Sequence, residues 1–335
     1  MSAIARTLES LETGPASSFR NLTVFPLLHR NDEEANYLTL DEALEAGCAR
    51  VTEIDQSGSV PELRFVNEGE RPVLLLDGEE LVGAKQNRVL NLTILVPPRT
   101  EIVVPVSCVE AGRWAYDSPS FAAAQHLMYQ SGRASKLRQV SRAMAETGRA
   151  SSDQGAVWNA IGEMLGSHGV NSPSGAMRDA YRRHETTIED YVRAIPNESD
   201  QIGGVFAING VVLGLEVLDN AETMRKMLPK LVRSYALDAI GSRTARQQPI
   251  QAQSVSGFLE DVAAAHTRSS RAIGMGRDLR LSGRRIAGGA LVDRDRVVHL
   301  SAFRLDEGAH SDDAEQGLAR MLQFSRRALK FRDAS

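Results

Sequence analysis

Cysteine is almost missing from this chain: among 335 residues there are two, Cys48 and Cys108, with no C-x-x-C. Neither a disulfide framework nor a local thiolate metal site can be built from that pair, and a reducing, cytoplasmic setting is the expectation. Aromatic residues are also scarce, at 5%. Charge of one sign is not in excess either, because 39 Lys and Arg face 43 Asp and Glu for a formal net charge of −4. Such a balance leaves no electrostatic footprint for nucleic acid or for an anionic membrane surface. No apolar run approaches the roughly 20 residues of a membrane-spanning helix. The opening MSAIARTLESLETGPASS has Glu9 and Glu12 but no apolar core, so it is not read as a secretory signal. It is expected to be a flexible leader over residues 1–17.

What remains is the composition of a folded protein with a sizeable core, 42% hydrophobic and 24% charged. Asn21–Leu28 reads as a strand, with Pro26 hinting at a sheet edge. Thr39 is placed to cap a short helix that carries acids in its first turn and stops at Gly47. Ala49–Ile54 and Pro61–Asn67 alternate with period 2, as half-buried antiparallel strands do. Residues 118–195 read as a helical insert. Ser118-Pro119 would open a helix through Glu146, Asp153 would cap a second that stops near Gly166, and a third would run from Gly175 to Val192. Asn209-Gly210 between two β-rich runs is the strongest hairpin signal in the chain. Asp219 or Asn220 would cap a helix kinked at Pro229, and Ser254 or Ser256 another that ends at His266. Arg285–Val292 and Arg296–Arg304 read as two last strands, and residues 306–335 as an accessory polar tail with a possible helix. No Pro/Gly/Ser linker divides early strands from late ones. The expectation is a single composite α+β domain over 18–305, with antiparallel β-sandwich-like sheets built from N- and C-terminal strands.

Arg71–Trp114 is the densest stretch, RPVLLLDGEELVGAKQNRVLNLTILVPPRTEIVVPVSCVEAGRW. Asp77-Gly78 favours a type I′ turn, and Pro97–Thr100 looks like a hairpin connection between Val89–Val96 and Glu101–Val109. Along the last strand Ile102, Val104, Val106, Cys108 and Glu110 share one face, which delivers a carboxylate to the end of an apolar row. Acids, amides and guanidiniums gather at these strand ends: Glu80, Gln86, Asn87, Arg88, Glu110 and Arg113. Such a set suits a phosphorylated sugar, with arginine on phosphate, amides on hydroxyls and a carboxylate for proton transfer. The structural alternative is an internal network in which Arg113 and Arg88 pair with Glu110 and Glu80.

The segments GEELVGAKQNR and VSCVEAGRW, together with IGGVFAINGVVLGLEVLDNAETM and LVRSYALDA, resemble the ARG and Rhodanese-Phosphatase-superfamily-associated Protein family. The resemblance spans most of residues 19–305. Its most specific pieces are Gln86-Asn87-Arg88 and the group Cys108, Glu110, Arg113, Trp114. It implies a bacterial protein associated with ADP-ribosylglycohydrolases, and so with NAD and ADP-ribose metabolism, without bringing an established reaction.

On this reading Glu110 and His299 are the candidate catalytic groups, while Glu80, Gln86, Asn87, Arg88, Arg113 and Trp114 are the candidate substrate-binding ones. The expected partner is a small nucleotide-type molecule, not nucleic acid or membrane. No cofactor and no metal are assigned, since Cys108, Glu110 and His299 lack local ligand spacing. Cys108 on an apolar face reads as packing, His299 also as a satisfied half-buried imidazole, and Trp114 also as a core anchor. The arginine-rich segment Arg268–Arg285 reads as a solvated basic loop. Two functions stay open: hydrolysis of an ADP-ribose derivative, or a non-catalytic nucleotide-binding module or scaffold.

Overall fold

The computed structural model describes residues 2–30, 35–55, 58–242 and 250–305. The expected leader is built into the fold: helix α1 (Ala3–Glu9) is capped by the Ser2 hydroxyl and buries Ile4 and Leu8. It is followed by β1 (Glu12–Thr13), β2 (Ser17–Phe19) and β3 (Leu22–Leu28). After β4 (Leu38–Thr39), α2 (Leu40–Glu45) opens on a capping box in which Thr39 and Glu42 satisfy each other's backbone N–H. The expected strands follow as β5 (Ala49–Thr52) and β6 (Glu62–Asn67).

Arg71–Trp114 folds as β7 (Val73–Leu75), β8 (Glu79–Gly83), β9 (Arg88–Leu90), β10 (Ile94–Val96) and β11 (Thr100–Cys108). Two expected hairpins are not hairpins. At Asp77-Gly78 only Gly78 has positive φ, +86°, so the type I′ geometry is absent. The turn instead passes the chain from the sheet of β7 to that of β8. Pro97–Thr100 likewise separates β10, paired with β7, from β11, paired with β6 and β9.

The helical insert begins later than expected. Phe121–Leu127 is strand β12, paired with β8 through an irregular register between Ala123 and Leu127. Helix α3 starts only at Gln130 (Gln130–Thr147). A serine-proline start is a local signal, and pairing with β8 overrides it. Helix α4 (Gln154–Ser167) is capped by Asp153 as expected. The third helix breaks at His184 into α5 (Arg178–Arg183) and α6 (Glu185–Ala194).

Then β13 (Gln201–Ile208) and β14 (Val211–Leu218) form the expected hairpin, with Asn209 and Gly210 at φ +52° and +81°. Helix α7 (Ala221–Gly241) is capped by Asn220 and runs through Pro229 as one element. Helix α8 (Ala252–Ala263) precedes β15 (His266–Arg271) and β16 (Arg277–Ser282), so the arginine-rich segment is a strand pair and not a loop. Strands β17 (Ile286–Asp293) and β18 (Arg296–Arg304) end the described chain, and the polar tail lies outside the described residues.

The fold is α+β, with antiparallel sheets apart from a parallel β4–β7 contact. The largest sheet has nine strands, ordered β1-β3-β13-β14-β18-β17-β16-β15 with β2 beside β3, so early and late strands do share one sheet. Side chains alternate across it: Val205 and Ala207 pack with α1 and α8, while Phe206 and Ile208 pack with the other helices. A six-stranded sheet, β12-β8-β9-β11-β6-β5, and the three strands β10-β7-β4 enclose a third core under α2. Among the described residues no helix is long and apolar enough to cross a membrane.

Candidate functional site

Register decides which polar side chains meet. Strand β9 pairs with β11 so that Arg88 lies opposite Cys108, and with β8 so that Arg88 lies opposite Leu81. Between β8 and β9 the chain reverses through Gly83 at φ +127° and Ala84 at φ +39°. A Cβ at Gly83 would stand 2.4 Å from the Ser118 hydroxyl, so only glycine fits there. Ala84 is fully buried and pays a steric penalty for its positive φ. Three contacts hold it: Arg113 Nη1 (2.6 Å) and Asp117 N (2.9 Å) donate to its carbonyl, and its own N–H donates to Ser118 Oγ (3.0 Å).

This turn aims Lys85, Gln86, Asn87 and Arg88 at the end of β11. There the Glu110 carboxylate accepts from Arg113 Nη2 (2.7 Å), Arg113 Nε (3.0 Å), Asn87 N (3.1 Å) and Ser174 Oγ (2.8 Å). Burial alone would raise its carboxyl, but the hydrogen bonds from Arg113, Ser174 and Asn87 outweigh burial and hold it below its ordinary value. Arg113 and Asn87 converge on Oε2, while Ser174 is the one of these donors that reaches Oε1. Arg113 also donates to Asn87 Oδ1 (3.1 Å), and Gln86 Nε2 donates to the Glu110 carbonyl (2.9 Å).

Arg88 is treated differently. It has no exposed surface, and its Nη1 donates to Gln86 Oε1 at 3.1 Å. Among the described residues, Nε and Nη2 have no hydrogen-bond acceptor. Burial lowers the pKa of this guanidinium, partly offset by the Cys108 sulfur and the Glu53 carboxylate. The Trp114 ring covers it, 5.8 Å from the guanidinium carbon to the ring centroid. Lys85 Nζ lies 5.2 Å from the Trp114 centroid and 5.1 Å from that of Tyr116. Lys85, Arg88 and Arg113 thus gather with the carboxylates of Glu53 and Glu110, and among the described residues Glu53 Oε2 lacks a donor. A groove of about 410 Å³ opens alongside, walled by Tyr116, Glu53, Arg50 and Arg64 among others.

Of the residues singled out from sequence, Gln86, Asn87, Arg88, Glu110, Arg113 and Trp114 come together. Glu80 does not join them. It pairs across to Val89, one residue out of phase with Arg88, and so faces the other side of the sheet. There its Oε2 meets His126 Nε2, and the imidazole stacks on Tyr181. His299 lies in the nine-stranded sheet, where its Nδ1 meets Thr93 Oγ1 (2.8 Å) and its Nε2 meets Glu216 Oε2 (3.3 Å). It shares no partner with Glu110.

Cys108 is fully buried, and its thiol donates to Gln86 Oε1 (3.1 Å). Burial pushes that thiol up, against the counter-effect of Arg88. Trp114 is 48% exposed and is therefore not a core anchor. Among the described residues no group of three His, Cys, Asp or Glu is placed to hold a metal ion. Sequence reasoning missed Lys85, Tyr116, Glu53 and Ser174. The first two sit in A-K-Q-N-R and W-A-Y, where a cation and two aromatics beside the named motif were a usable signal. The other two arrive from distant segments and carried none.

No curated protein and no solved structure matches the chain. The family model of the ARG and Rhodanese-Phosphatase-superfamily-associated Protein domain matches residues 10–303, which takes in every strand and helix of the cluster described above. The chain belongs to the ARG and Rhodanese-Phosphatase-superfamily-associated Protein family.

Proposed function

We propose that this protein binds a nucleotide-type ligand of the ADP-ribose class at the Arg88–Arg113 cluster and acts as a binding module. The observation that carries this reading is Arg88, a buried guanidinium with two nitrogens that find no acceptor among the described residues, beside two half-exposed aromatic rings. An unpaired buried donor is costly unless something meets it, and a phosphate oxygen pair fits a guanidinium edge bidentately. The rings of Trp114 and Tyr116 would take the base, and the Arg88 guanidinium would take the negative charge.

Binding is favoured over hydrolysis by the state of Glu110. Its Oε2 accepts from Arg113 and Asn87 and its Oε1 from Ser174, and these donors hold its pKa below the ordinary value, which makes it a weak base toward water. His299 is engaged elsewhere, by Thr93 and Glu216. The test is incubation with ADP-ribose, NAD and an ADP-ribosylated peptide, followed by thermal unfolding and mass spectrometry of the mixture. The expected outcome is a higher unfolding temperature with ADP-ribose and no product. At a ligand concentration of 100 Kd the gain is about 2.7 kcal/mol. A product mass would return the case to hydrolysis, and the absence of any shift would remove the ligand class.

A further inference from the structure

We infer that Trp114, Ala115 and Tyr116 form an aromatic flap that covers Arg88 in the free protein and closes on the base of the bound nucleotide. The inference rests on the binding reading above and adds to it the residue that sets selectivity for the base. Its geometry is that of a short tip between two fixed points. On one side Arg113 grips Glu110, Asn87 and the Ala84 carbonyl. On the other, Asp117 N and Ser118 Oγ grip the carbonyl and the N–H of the same Ala84. Ala84 is buried with φ +39°, a conformation that persists only while its surroundings hold it. The anchors are therefore committed to the strained turn; Arg113 Nη1 also donates to the Ala115 carbonyl (3.1 Å), so motion is left to the rings of the tip rather than to its backbone.

The tip itself is exposed. Trp114 and Tyr116 are 48% and 54% exposed, although each lies beside a buried cation. Burying a large ring against neighbours is the usual fate of tryptophan. Here the Trp114 ring lies against Lys85 and Arg88 while 48% of the residue meets solvent. A cation–π contact at such a site is weak beside a charge-assisted hydrogen bond to phosphate. An incoming phosphate thus displaces the ring from Arg88, and the displaced ring is left next to whatever the phosphate carries. If that is a purine, the ring stacks on it. If it is bare phosphate, the ring stays in water.

The chain makes this measurable, because it has only two tryptophans, Trp114 and Trp158. In the full-length Trp158→Phe variant the emission of Trp114 is read alone. Inorganic pyrophosphate is expected to shift it to the red, as the ring leaves the cations for water. ADP-ribose is expected to quench it, as the ring stacks. Trp114→Ala should keep or tighten pyrophosphate binding while weakening ADP-ribose at least tenfold, with Trp114→Phe recovering most of that loss. Arg88→Gln should weaken both at least tenfold. Thermal stabilisation by both probes without any change in Trp114 emission would overturn the flap and leave the ligand class standing. An equal loss for both probes in Trp114→Ala would do the same. Stabilisation by neither probe would remove the ligand class, and the flap with it.

Discussion

Two buried arginines in this molecule, Arg88 and Arg133, have opposite surroundings, and the contrast separates a binding group from a structural one. Both are without exposed surface. Arg133, on α3, has Nη1 2.7 Å from one Glu216 oxygen and Nη2 3.3 Å from the other, while His299 and Tyr235 complete that carboxylate. Burial favours neutral Arg133, yet Glu216 outweighs it and raises its pKa. Glu216 in turn is held below its ordinary value by Arg133 and His299 against its own burial. Lys136 and Asp77 form a second pair nearby. Only Arg133 Nε lacks an acceptor, and Phe303 lies 5.2 Å from that guanidinium. Arg88 has one amide oxygen, one thiol and a ring that half faces solvent. A carboxylate of the fold closes the first site. At the second, the Glu53 carboxylate acts on Arg88 through space and, among the described residues, makes no hydrogen bond to it.

The largest expected effect breaks the closed site. Arg133→Met leaves Glu216 buried without its counter-charge and should cost about 3–5 kcal/mol in urea unfolding. Arg88→Met should behave in the opposite sense, leaving stability within about 1 kcal/mol or raising it, because it removes a poorly paired buried charge. The same variant should lose all stabilisation by ADP-ribose. If the two substitutions cost alike, the distinction between them collapses.

Glu110→Gln tests the boundary between the two behaviours, since Glu110 is satisfied like Glu216 but stands beside Arg88. It should cost about 1–3 kcal/mol and leave ligand binding intact. Because its folded pKa is depressed, Glu110 contributes stability that is present above its ordinary value of 4.5 and lost as pH falls through the lower folded value. The substitution should therefore flatten the acid limb of the stability profile. Asp238 gives the opposite slope. Partial burial raises it to about 6 against hydrogen bonds from Ser131, so between the two values the folded chain holds a proton that the unfolded chain has released. Stability from this group falls as pH rises between about 4 and 6, and Asp238→Asn should remove that slope in a melting series. The smallest effect is on thiol chemistry. Part-exposed Cys48 should react with a thiol reagent while buried Cys108 waits on unfolding.

Much of the fold was legible because it is written in short-range patterns. The Thr39 and Asp153 caps, the period-2 strands β5 and β6 and the Asn209-Gly210 turn each need only neighbouring residues. Where a strand goes after its turn is not short-range. Asp77-Gly78 and Pro97–Thr100 carry hairpin chemistry, yet each sends the chain to a different sheet, because the apolar faces of β7 and β10 find each other instead. The basic segment was read as a loop because arginine is a poor strand signal, and as an edge hairpin it tolerates exposure.

For the candidate site, the sequence alone determined the chemical inventory: Gln86, Asn87, Arg88, Glu110, Arg113 and Trp114 at strand ends, close enough in the chain for β9 and β11 to bring them together. Tertiary structure decided which groups they meet. A one-residue phase difference sent Glu80 to His126 on the far side of the sheet, and long-range pairing gave His299 to Glu216. It brought Ser174 to Glu110 and Glu53 to Arg88 from segments with no local mark. The physical reason is that residue type fixes what a side chain can donate or accept, whereas strand register fixes the face on which it does so.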